Sequence, residues 1–362
     1  MKDTYKAVLI GCSRMGAFID NEVVDREYIV PPYSHAASYR ACDRTDFVAC
    51  SDLRPEVMAE VGRQHGIPAD KQYLDYREMV DVERPDIVSI ATQPEGRAEI
   101  AVYAAEHGAK AIYAEKAMAA SMADAEAMVE ACERHGVVFN IGTQRRWHPG
   151  FQKIKEVLSD GRIGTLRTIL VPANNLFNGA SHYFDNLMYL AGDRPARWVQ
   201  MQLLDGDWRI EGDRLTEDPA AHGVIAFDGG LLVYVVAPVH ENEVQARCDD
   251  GSVRATQQQE FLLRRRERRG DRRAGFVDAP FPQWQPASAN LRLVEDLVHA
   301  LDTGEPPVGG VRVAYAATEL IFAAIESHLR GGARVELPLT GSTVRLHRDQ
   351  APRQPSFEPR RS

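Results

Sequence analysis

Cysteine is scarce in this chain, with five residues among 362. They lie at Cys12, Cys42, Cys50, Cys132 and Cys248, and they form neither a CxxC pair nor a metal-ligand spacing. An odd number of scattered cysteines is typical of reduced thiols and not of a disulfide framework. We therefore expect a protein of the cytoplasm that is stabilised without disulfide bonds.

Long apolar runs and an excess of positive charge are also absent. No uninterrupted apolar stretch approaches the ~20 residues that cross a bilayer, and the first six residues lead into a strand-like run without a signal segment. The formal net charge of -9 is unsuited to general nucleic-acid binding, which needs clustered Lys and Arg. The sequence thus predicts no membrane and no nucleic acid as partner.

One basic segment, residues 263–273, departs from this overall charge balance. Because it lies between strand-like runs, we interpret it as a solvated hairpin. A local nucleic-acid patch is the alternative interpretation of the same residues.

The signatures of two large enzyme classes are missing. The eleven histidines include no HxxxH or HExxH pair, and Asp185 near His182 supplies too few ligands for a metal ion. No GxSxG elbow of a serine hydrolase occurs either. The sequence therefore predicts neither a metal centre nor a serine-type triad.

What the chain does contain, up to about Ile141, is an alternation of short apolar runs with amphipathic stretches. This pattern is typical of parallel strands joined by crossover helices, and it predicts a doubly wound α/β sheet. The predicted strands are residues 7–10, 47–50, 87–91, 111–114 and 137–141, and the predicted helices are residues 55–64, 96–106 and 121–134.

Beyond Gly142 the pattern changes to alternating strands over residues 198–263, which predicts a mainly antiparallel, open sheet with one covered face. Two helices, residues 289–301 and 311–329, follow it. The predicted domains are residues 1–145, residues 146–340, and a C-terminal tail of residues 341–362 that is frayed from Arg348 onward.

The first strand runs into Gly11-Cys-Ser-Arg-Met-Gly16. In the GxGxxG fingerprint, glycines permit a tight turn and close approach of a pyrophosphate to a helix N-terminus. Ser13 replaces the middle glycine, and its hydroxyl is able to donate to a phosphate oxygen. The sequence predicts dinucleotide contacts from Gly11, Ser13, Arg14, Met15 and Gly16, with a plain two-glycine turn as the alternative.

Asp52 follows the second strand, where an acidic residue accepts hydrogen bonds from the adenosine ribose hydroxyls. This favours NAD, although Arg54 two residues later leaves NADP open. Asp52 lies 36 positions after Gly16, against about 20 in the usual fingerprint. The excess is the polar insertion of residues 20–33, either a loop over the cofactor or substrate mouth or a surface excursion.

The apolar run Ala111–Ala114 delivers Glu115 and Lys116 to the carboxyl edge of the predicted sheet, where such folds bind ligands. The Lys116 ammonium is suited to bonding the reacting oxygen, and a positive nicotinamide nearby lowers the pKa of that ammonium. A salt-bridged surface lysine is the alternative interpretation.

Taken in order, six segments of this chain resemble the Gfo/Idh/MocA oxidoreductases, which include glucose-fructose oxidoreductase and inositol dehydrogenases. The resemblance covers roughly residues 5 to 340. The segments are Gly11–Gly16, Ile90–Pro94, Ala114–Ala117, Gly142–Trp147, Ser181–Asp185 and Arg334–Pro338.

The resemblance implies an N-terminal Rossmann domain, a C-terminal α/β domain whose open sheet forms a homodimer or homotetramer, and a site in the cleft between the domains. It further implies that Lys116 and His182 are catalytic. The family's aspartate is replaced here by Asn178, its motif glycine by Ala180, and the proline after the lysine by Ala117.

These departures change the expected chemistry. Asn178 is able to orient a substrate hydroxyl but not to act as a base, so proton transfer falls to His182 or Lys116. Asp185 lies three residues after His182 on one helical face and either orients the imidazole or binds a substrate hydroxyl. A capping or salt-bridging role for Asp185 is the alternative.

The remaining predicted contacts follow the last two sheet strands. Arg146, Trp147 and His148 are predicted on the substrate side, with Trp147 either stacking on a sugar ring or filling the interdomain core. The further predicted cofactor contacts are Thr92, Gln93, Pro94, Glu115 and, near the nicotinamide amide, Gln144.

The sequence and the resemblance together predict an NAD-dependent oxidoreductase, with NADP left open, that transfers a hydride between nicotinamide and the carbinol or carbonyl carbon of a sugar, inositol or sugar derivative. Two other functions stay open. One is redox-neutral cleavage of a glycoside by transient oxidation, and the other is a non-enzymatic sensor, since the same fold serves a fungal transcriptional repressor of the galactose pathway.

Overall fold

A computed structural model describes residues 2–238, 243–256, 258–348 and 354–360. The chain divides into two compact units. The first contains residues 1–147, residues 287–315 and the described tail residues, and the second contains residues 148–286 and 316–348. Every helix among the described residues is too short or too polar to cross a membrane.

The regular elements are numbered here along the chain. The helices are α1 (His35–Ala41), α2 (Pro55–His65), α3 (Tyr76–Glu83), α4 (Pro94–Glu106), α5 (Met122–His135), α6 (Pro149–Ser159), α7 (Ser181–Leu190), α8 (Ala289–Thr303) and α9 (Val311–Leu329). The strands of the first unit are β1 (Tyr5–Ile10), β2 (Thr45–Ser51), β3 (Gln72–Tyr73), β4 (Ile87–Ile90), β5 (Ala111–Ala114) and β6 (Val138–Ile141).

The strands of the second unit continue this numbering. They are β7 (Leu166–Pro172), β8 (Ala196–Leu203), β9 (Ile210–Glu211), β10 (Arg214–Leu215), β11 (Ala221–Phe227), β12 (Leu232–Val236), β13 (Val244–Cys248), β14 (Gly251–Ala255), β15 (Phe261–Arg266), β16 (Phe276–Ala279), β17 (Val335–Glu336) and β18 (Arg345–Leu346).

The sheet of the first unit is parallel throughout, in the order β3-β2-β1-β4-β5-β6. β4 and β5 are buried along their whole length, as expected of parallel strands covered by helices on both faces. One face packs around Val8, Ile90 and Ile112, and the other around Leu9 and Phe47. The predicted doubly wound sheet is confirmed.

The polar insertion of residues 20–33 is closed on itself by one carboxylate. Asp20 accepts hydrogen bonds from the backbone N–H groups of Tyr33 (2.7 Å) and Ser34 (2.9 Å). The Ser34 hydroxyl in turn caps α1 by accepting from Ala37 N. The insertion therefore ends at the first residue of a helix with its geometry fixed.

The segment 287–315 belongs to the first unit, whereas the predicted boundary placed it in the second domain. The buried face of α8, carrying Leu293, Val294 and Leu297, covers the same face of the parallel sheet as Tyr113. An amphipathic pattern identifies a helix but not the sheet that it covers, which is why the sequence misassigned this segment.

The predicted fraying of the tail is wrong for residues 354–360, while residues 349–353, 361 and 362 lie outside the described part of the chain. Phe357 packs edge-on against Phe18 with ring centroids 5.1 Å apart. Asn21 Nδ2 donates to the Ser356 carbonyl at 2.9 Å. One aromatic anchor thus holds a polar segment that composition alone indicates as disordered.

The large sheet of the second unit has the order β16-β15-β14-β13-β7-β12-β11-β8-β17 and is antiparallel except where β7 pairs with β12. In β12, Val233 and Val235 are buried while Tyr234 and Val236 are exposed, so one face is covered and one is open. The predicted mainly antiparallel, open sheet is confirmed. A short separate sheet pairs β18, β10 and β9.

The basic segment of residues 263–273 lies in the β15–β16 hairpin. Its arginines face acidic side chains: Arg264 pairs with Asp278 at 3.2 Å, and Arg266 pairs with Asp250 at 3.1 Å. These pairs favour the interpretation of the segment as a solvated hairpin.

We expect one α8 carboxylate to stabilise the first unit. Asp296 Oδ2 accepts from Asn140 Nδ2, Trp147 Nε1 and Val308 N, each at 3.0 Å. Because Asp296→Ala leaves these donors without their acceptor, it should lower the free energy of unfolding by about 2–4 kcal/mol. Urea denaturation measures this change.

The exposed neighbour on the same helix supplies the control. Glu295→Ala should change the free energy of unfolding by less than about 0.5 kcal/mol. Equal stability of the Asp296→Ala and Glu295→Ala proteins would contradict the assigned role of Asp296.

Candidate active site

The parallel strands of the first unit end at one edge of the sheet, and the residues that follow them are predominantly those with predicted functions. Gly11 follows β1, Asp52 follows β2, Glu115 and Lys116 follow β5, and Gly142 follows β6. The strand order reverses between β1 and β4, which is the position where open α/β sheets bind ligands. The candidate site is therefore this carboxyl edge.

Both glycines of the first turn are required by the packing. Gly11 has φ +87°, and a Cβ on it would lie 2.9 Å from the Ala91 carbonyl group. A Cβ on Gly16 would lie 2.1 Å from the Gly11 oxygen. Met15 lies between them in a π-helical turn, Arg14–Phe18. The turn is thus a close-packed backbone cradle of the kind that accommodates a pyrophosphate.

Asp52 and Arg54 are attached to this cradle. Asp52 Oδ2 accepts from Cys12 N at 2.8 Å, and Asp52 Oδ1 pairs with Arg54 Nε at 3.2 Å. Arg54 NH2 donates to Ser13 Oγ at 2.9 Å. Ser13, Asp52 and Arg54, which the sequence assigned separately to the cofactor, therefore form one polar cluster at the ends of β1 and β2.

Arg14, also predicted to contact the cofactor, has a protein partner. Its Nε donates to Glu22 Oε2 at 2.5 Å, and Glu22 is 6% exposed. Arg360 of the tail lies 3.7 Å from the same carboxylate. The insertion and the tail therefore share one acidic group beside the glycine turn.

The loops after β4 and β5 are joined by a buried arginine that the sequence analysis did not single out. Arg97, in the first turn of α4, is 1% exposed and donates to the carbonyl oxygens of Thr92 and Ala117. The only sequence signal was an arginine within the otherwise small and apolar face of that helix. Arg97 therefore connects the segment that follows β4 with the segment that follows β5.

The predicted cofactor contacts after β4 differ in exposure. Gln93 is exposed and immediately precedes α4, while Pro94 is buried as the first residue of that helix. The hydroxyl oxygens of Thr92 and, after β6, Thr143 are buried and have no hydrogen-bond partner among the residues that the structure describes. Such groups need a partner, and a bound dinucleotide is suited to provide one.

Glu115 is held inside the protein and not at its surface. It is 5% exposed, its Oε1 lies 3.1 Å from His35 Nε2, and its Oε2 accepts from the Lys116 backbone N–H at 3.2 Å. A Cβ on Gly142 would lie 2.6 Å from Oε1, so only glycine fits beneath the carboxylate. These contacts indicate that Glu115 supports the backbone of Lys116 structurally.

Burial alone would raise the pKa of Glu115, but the hydrogen bond from His35 and the positive charges of Lys116 and Arg97 outweigh it and hold that pKa below its ordinary value. The carboxylate is therefore ionised at neutral pH. His35 was not singled out from the sequence, because a lone histidine after a Pro-Pro turn carries no spacing signal.

Two predicted substrate residues of the first unit lie in its interior. Trp147 is 3% exposed, donates to Asp296, and packs so closely against Gly309 that a Cβ there would lie 2.5 Å from the indole. The burial of Trp147 favours the predicted core-filling role over stacking on a sugar, and Arg146 is completely buried. Gln144 Nε2 donates to the Tyr33 hydroxyl, which brings the end of the insertion to the carboxyl edge.

His148, also predicted on the substrate side, has several contacts within the second unit. Its Nδ1 accepts from Gly150 N at 3.1 Å and so caps α6, while its Nε2 lies 2.6 Å from Gln259 Oε1. The ring packs against Phe151 and Trp284. Both ring nitrogens are therefore used within the protein.

The remaining predicted residues lie on α7 and on the π-helical turn before it, Leu176–Ala180. His182 is half-buried in the first turn of α7, Asn178 is exposed, and Asp185 is completely buried. The burial of Asp185 favours a role in orienting its neighbours over direct contact with a substrate hydroxyl.

Asp218, which the sequence analysis missed, holds the start of this turn. Its two carboxylate oxygens accept from Phe177 N and Asn178 N, each at 2.8 Å. Burial raises the pKa of Asp218, against the lowering effect of these backbone hydrogen bonds. A carboxylate from the segment between β10 and β11 thus contacts the backbone of Asn178, the residue predicted to orient a substrate hydroxyl.

In the described part of the chain, no group of three or more His, Cys, Asp or Glu side chains is arranged to hold a metal ion.

Comparison with known proteins gives consistent similarities. The model of an oxidoreductase family with an NAD-binding Rossmann fold, GFO_IDH_MocA, matches residues 28–143. The chain is 32% identical over 248 residues to D-apiose dehydrogenase of Paraburkholderia graminis, a match that covers 68% of this chain and 60% of that protein. It therefore spans about three fifths of that relative's length.

Over 295 residues the chain is 21% identical to myo-inositol 2-dehydrogenase of Thermotoga maritima, covering 75% of this chain and 86% of that protein. The solved structure of aldose-aldose oxidoreductase from Caulobacter crescentus, in complex with glycerol, superposes with a TM-score of 0.74 at 20% identity, covering 92% of this chain and all of that one. This structural similarity extends the shared fold over both units. The Glu115-Lys116 pair lies within the segment that the family model matches, and residues 28–143 of this chain are similar to the Gfo/Idh/MocA oxidoreductases with an NAD-binding Rossmann fold.

Proposed function

We propose that this chain is an NAD-dependent dehydrogenase or reductase that acts on a CH–OH group of a sugar, inositol or sugar derivative. The observation that carries the proposal is Lys116, which follows β5 at the same carboxyl edge of the sheet as the glycine turn and whose backbone N–H is bonded there by the buried Glu115. The names of two relatives, a D-apiose dehydrogenase and a myo-inositol 2-dehydrogenase, support a polyhydroxylated substrate.

The residues at this edge fit a dinucleotide. Gly11 and Gly16 permit the tightly packed turn that a pyrophosphate requires, Asp52 offers a carboxylate to the ribose, and the Thr92 and Thr143 hydroxyls offer buried hydrogen bonds. When bound, NAD supplies the acceptor for the hydride. The protein supplies binding, orientation and proton transfer.

We assign the proton to Lys116. As the hydrogen on the carbinol carbon leaves with its electron pair, the hydroxyl proton passes to a neutral Lys116 Nζ, and the carbon–oxygen bond becomes a carbonyl. In the reverse direction the ammonium returns that proton. Arg97 keeps the Thr92 and Ala117 carbonyl groups in place, so the lysine segment does not shift during turnover.

The resemblance assigns a share of this proton transfer to His182, which lies in the first turn of α7 in the second unit. The Asn178 side chain is an amide and does not titrate. His182 is the titratable group of the segment Asn178–His182, and it is only half-buried. We propose it as the second proton-transfer group. Asp218 then holds the turn that precedes α7.

Removal of the Lys116 amine should abolish most of the activity. Lys116→Ala should lower kcat/KM for the best substrate by on the order of 10²- to 10⁴-fold, because general acid-base groups contribute this much. Purified protein is first screened with NAD and NADP against pentoses, hexoses, inositols and glycosides. Steady-state rates of NADH formation then give the ratio.

Lys110→Ala is the matched control, since Lys110 precedes the same strand at its other end and pairs with Asp86 at 2.8 Å. It should leave kcat/KM within about twofold, as expected of an exposed ion pair. Unchanged turnover in Lys116→Ala would refute the mechanism. Glycoside cleavage without added NAD would identify redox-neutral chemistry, and NAD binding without any turnover would identify a sensor.

We also propose that NAD is preferred over NADP because the Asp52 carboxylate neutralises Arg54. In Asp52→Ala the guanidinium loses its ion pair at 3.2 Å and becomes available to a 2′-phosphate. The ratio of kcat/KM for NADP to that for NAD should rise on the order of 10- to 100-fold, the value of one charge-assisted hydrogen bond. Both constants are measured with the same substrate.

Adding Arg54→Ala to Asp52→Ala tests the cause. The double variant should lose the gain in kcat/KM for NADP. It should keep the lower kcat/KM for NAD that results from removal of the Asp52 carboxylate. A cofactor ratio that stays at the wild-type value in Asp52→Ala would refute the assignment.

For the assembly, we propose a homodimer or homotetramer formed through the open face of the large sheet. Tyr234, Val236, Leu262 and Phe276 are exposed apolar side chains on its strands, and apolar side chains of this size are typical of interfaces. Tyr234→Glu, on the central strand β12, should weaken self-association at least about 10-fold, because a charge is desolvated there.

Light scattering after size exclusion measures the assembly. Val82→Glu, at an exposed apolar position on α3 in the first unit, should keep the wild-type mass. A monomeric wild-type protein, or a Tyr234→Glu protein with unchanged association, would contradict the proposed interface.

A further inference from the structure

A histidine is completely buried behind Lys116. His35, the first residue of α1, has no exposed surface. Its Nδ1 lies 2.5 Å from Ser89 Oγ on β4, and its Nε2 lies 3.1 Å from Glu115 Oε1. The ring stacks on Tyr113 of β5 at 3.8 Å between centroids and 10° between planes.

This arrangement connects three elements to the lysine. Ser89 lies in β4 and Tyr113 lies in β5. Glu115 follows β5 and accepts a hydrogen bond from the backbone N–H of Lys116. Each ring nitrogen of His35 has one polar partner and its face has an aromatic one. The position and tilt of the imidazole are therefore fixed on three sides.

The position of the Glu115 carboxylate is equally constrained. Gly142 lies so close beneath it that any side chain there would meet Oε1 at 2.6 Å. With Lys116 N on one oxygen and His35 on the other, the carboxylate cannot rotate without losing a hydrogen bond. Burying a charge in such a place is costly unless it is fully paired.

The protonation state follows from the partners. An ionised Glu115 is an acceptor only, so His35 Nε2 carries a proton toward it. Nδ1 then accepts from the Ser89 hydroxyl in the neutral ring or donates to it in the charged ring. In both forms the bond between His35 and Glu115 is kept.

We propose that His35 is a positioning residue for Lys116: by holding the Glu115 carboxylate in one orientation, it fixes the peptide of Lys116 and keeps a negative charge beside the ammonium. The relevance of this to turnover rests on the proposed function of Lys116. The titratable and charged groups facing Glu115 are His35 of α1, Tyr33 of the insertion, Arg97 of α4, Tyr113 of β5 and Lys116 itself.

The test measures how the reactivity of the Lys116 amine depends on pH, in the protein without cofactor or substrate. The rate at which a limiting amine-reactive acyl reagent modifies Lys116 is followed against pH by mass spectrometry of the Lys116 peptide. A nearby negative charge favours the ammonium, so its loss should move the midpoint of modification to lower pH. We expect this shift in Glu115→Gln, which removes the charge, and in His35→Leu, which removes its partner.

Two further variants separate positioning from folding. His35→Gln keeps an amide donor toward Glu115 and should restore most of the wild-type midpoint. Tyr113→Phe keeps the stacking surface and removes a hydroxyl that has no hydrogen-bond partner among the described residues, so it should leave the midpoint unchanged. The double variant of His35→Leu with Glu115→Gln should shift no further than either single variant.

A midpoint in His35→Leu that stays at the wild-type value or moves upward overturns the proposal, as does a shift in the double variant equal to the sum of the single shifts. If His35→Leu is insoluble, an unchanged midpoint in Glu115→Gln overturns it alone. Because modification does not require catalysis, these outcomes are independent of whether Lys116 transfers the proton.

Activity of the same variants then supplies the link to function. His35→Leu should lower kcat by on the order of 10- to 100-fold with a smaller change in KM, as expected when a catalytic group is displaced. A shifted midpoint with unchanged kcat would leave the positioning intact and refute the assigned role of Lys116.

Discussion

The burial of an ionised carboxylate at Glu115 is the interaction on which the carboxyl edge of the first unit depends. A charge in this environment persists only if every oxygen has a donor. His35 and the Lys116 backbone supply those donors, and Gly142 supplies the space. The requirement to satisfy one charge therefore determines which residues follow β5 and β6 and where α1 begins.

Arg97 supplies hydrogen-bond donors to the loops that follow β4 and β5. The strands end where their backbone carbonyl groups lose ladder partners, and these groups must find other donors. A completely buried guanidinium provides them to Thr92 and Ala117. Its positive charge also acts favourably on Glu115, so the two buried charges support each other, and both form hydrogen bonds with the backbone of the Lys116–Ala117 segment.

The parts of this arrangement that the sequence predicts are those with a local signal. Buried parallel strands such as β5 read as continuous apolar runs, and Gly11 and Gly16 read as a turn because only glycine fits there. His35, Arg97 and Asp218 have no such signal, since each acts on at least one backbone or carboxylate group that lies 20 or more positions away. The sequence left the role of Trp147 open for the related reason that an aromatic ring serves a core and a ligand equally well.

The glycine turn, too, is supported from distant parts of the chain. Glu22 of the insertion pairs with Arg14 at 2.5 Å, and the tail residue Arg360 approaches the same carboxylate at 3.7 Å. Phe357 covers Phe18, which ends the π-helical turn after Gly16. Short helical turns alone give such a glycine turn little rigidity. The contacts from the insertion and the tail add to it, which explains why two segments of loop-like composition are ordered next to the glycine turn.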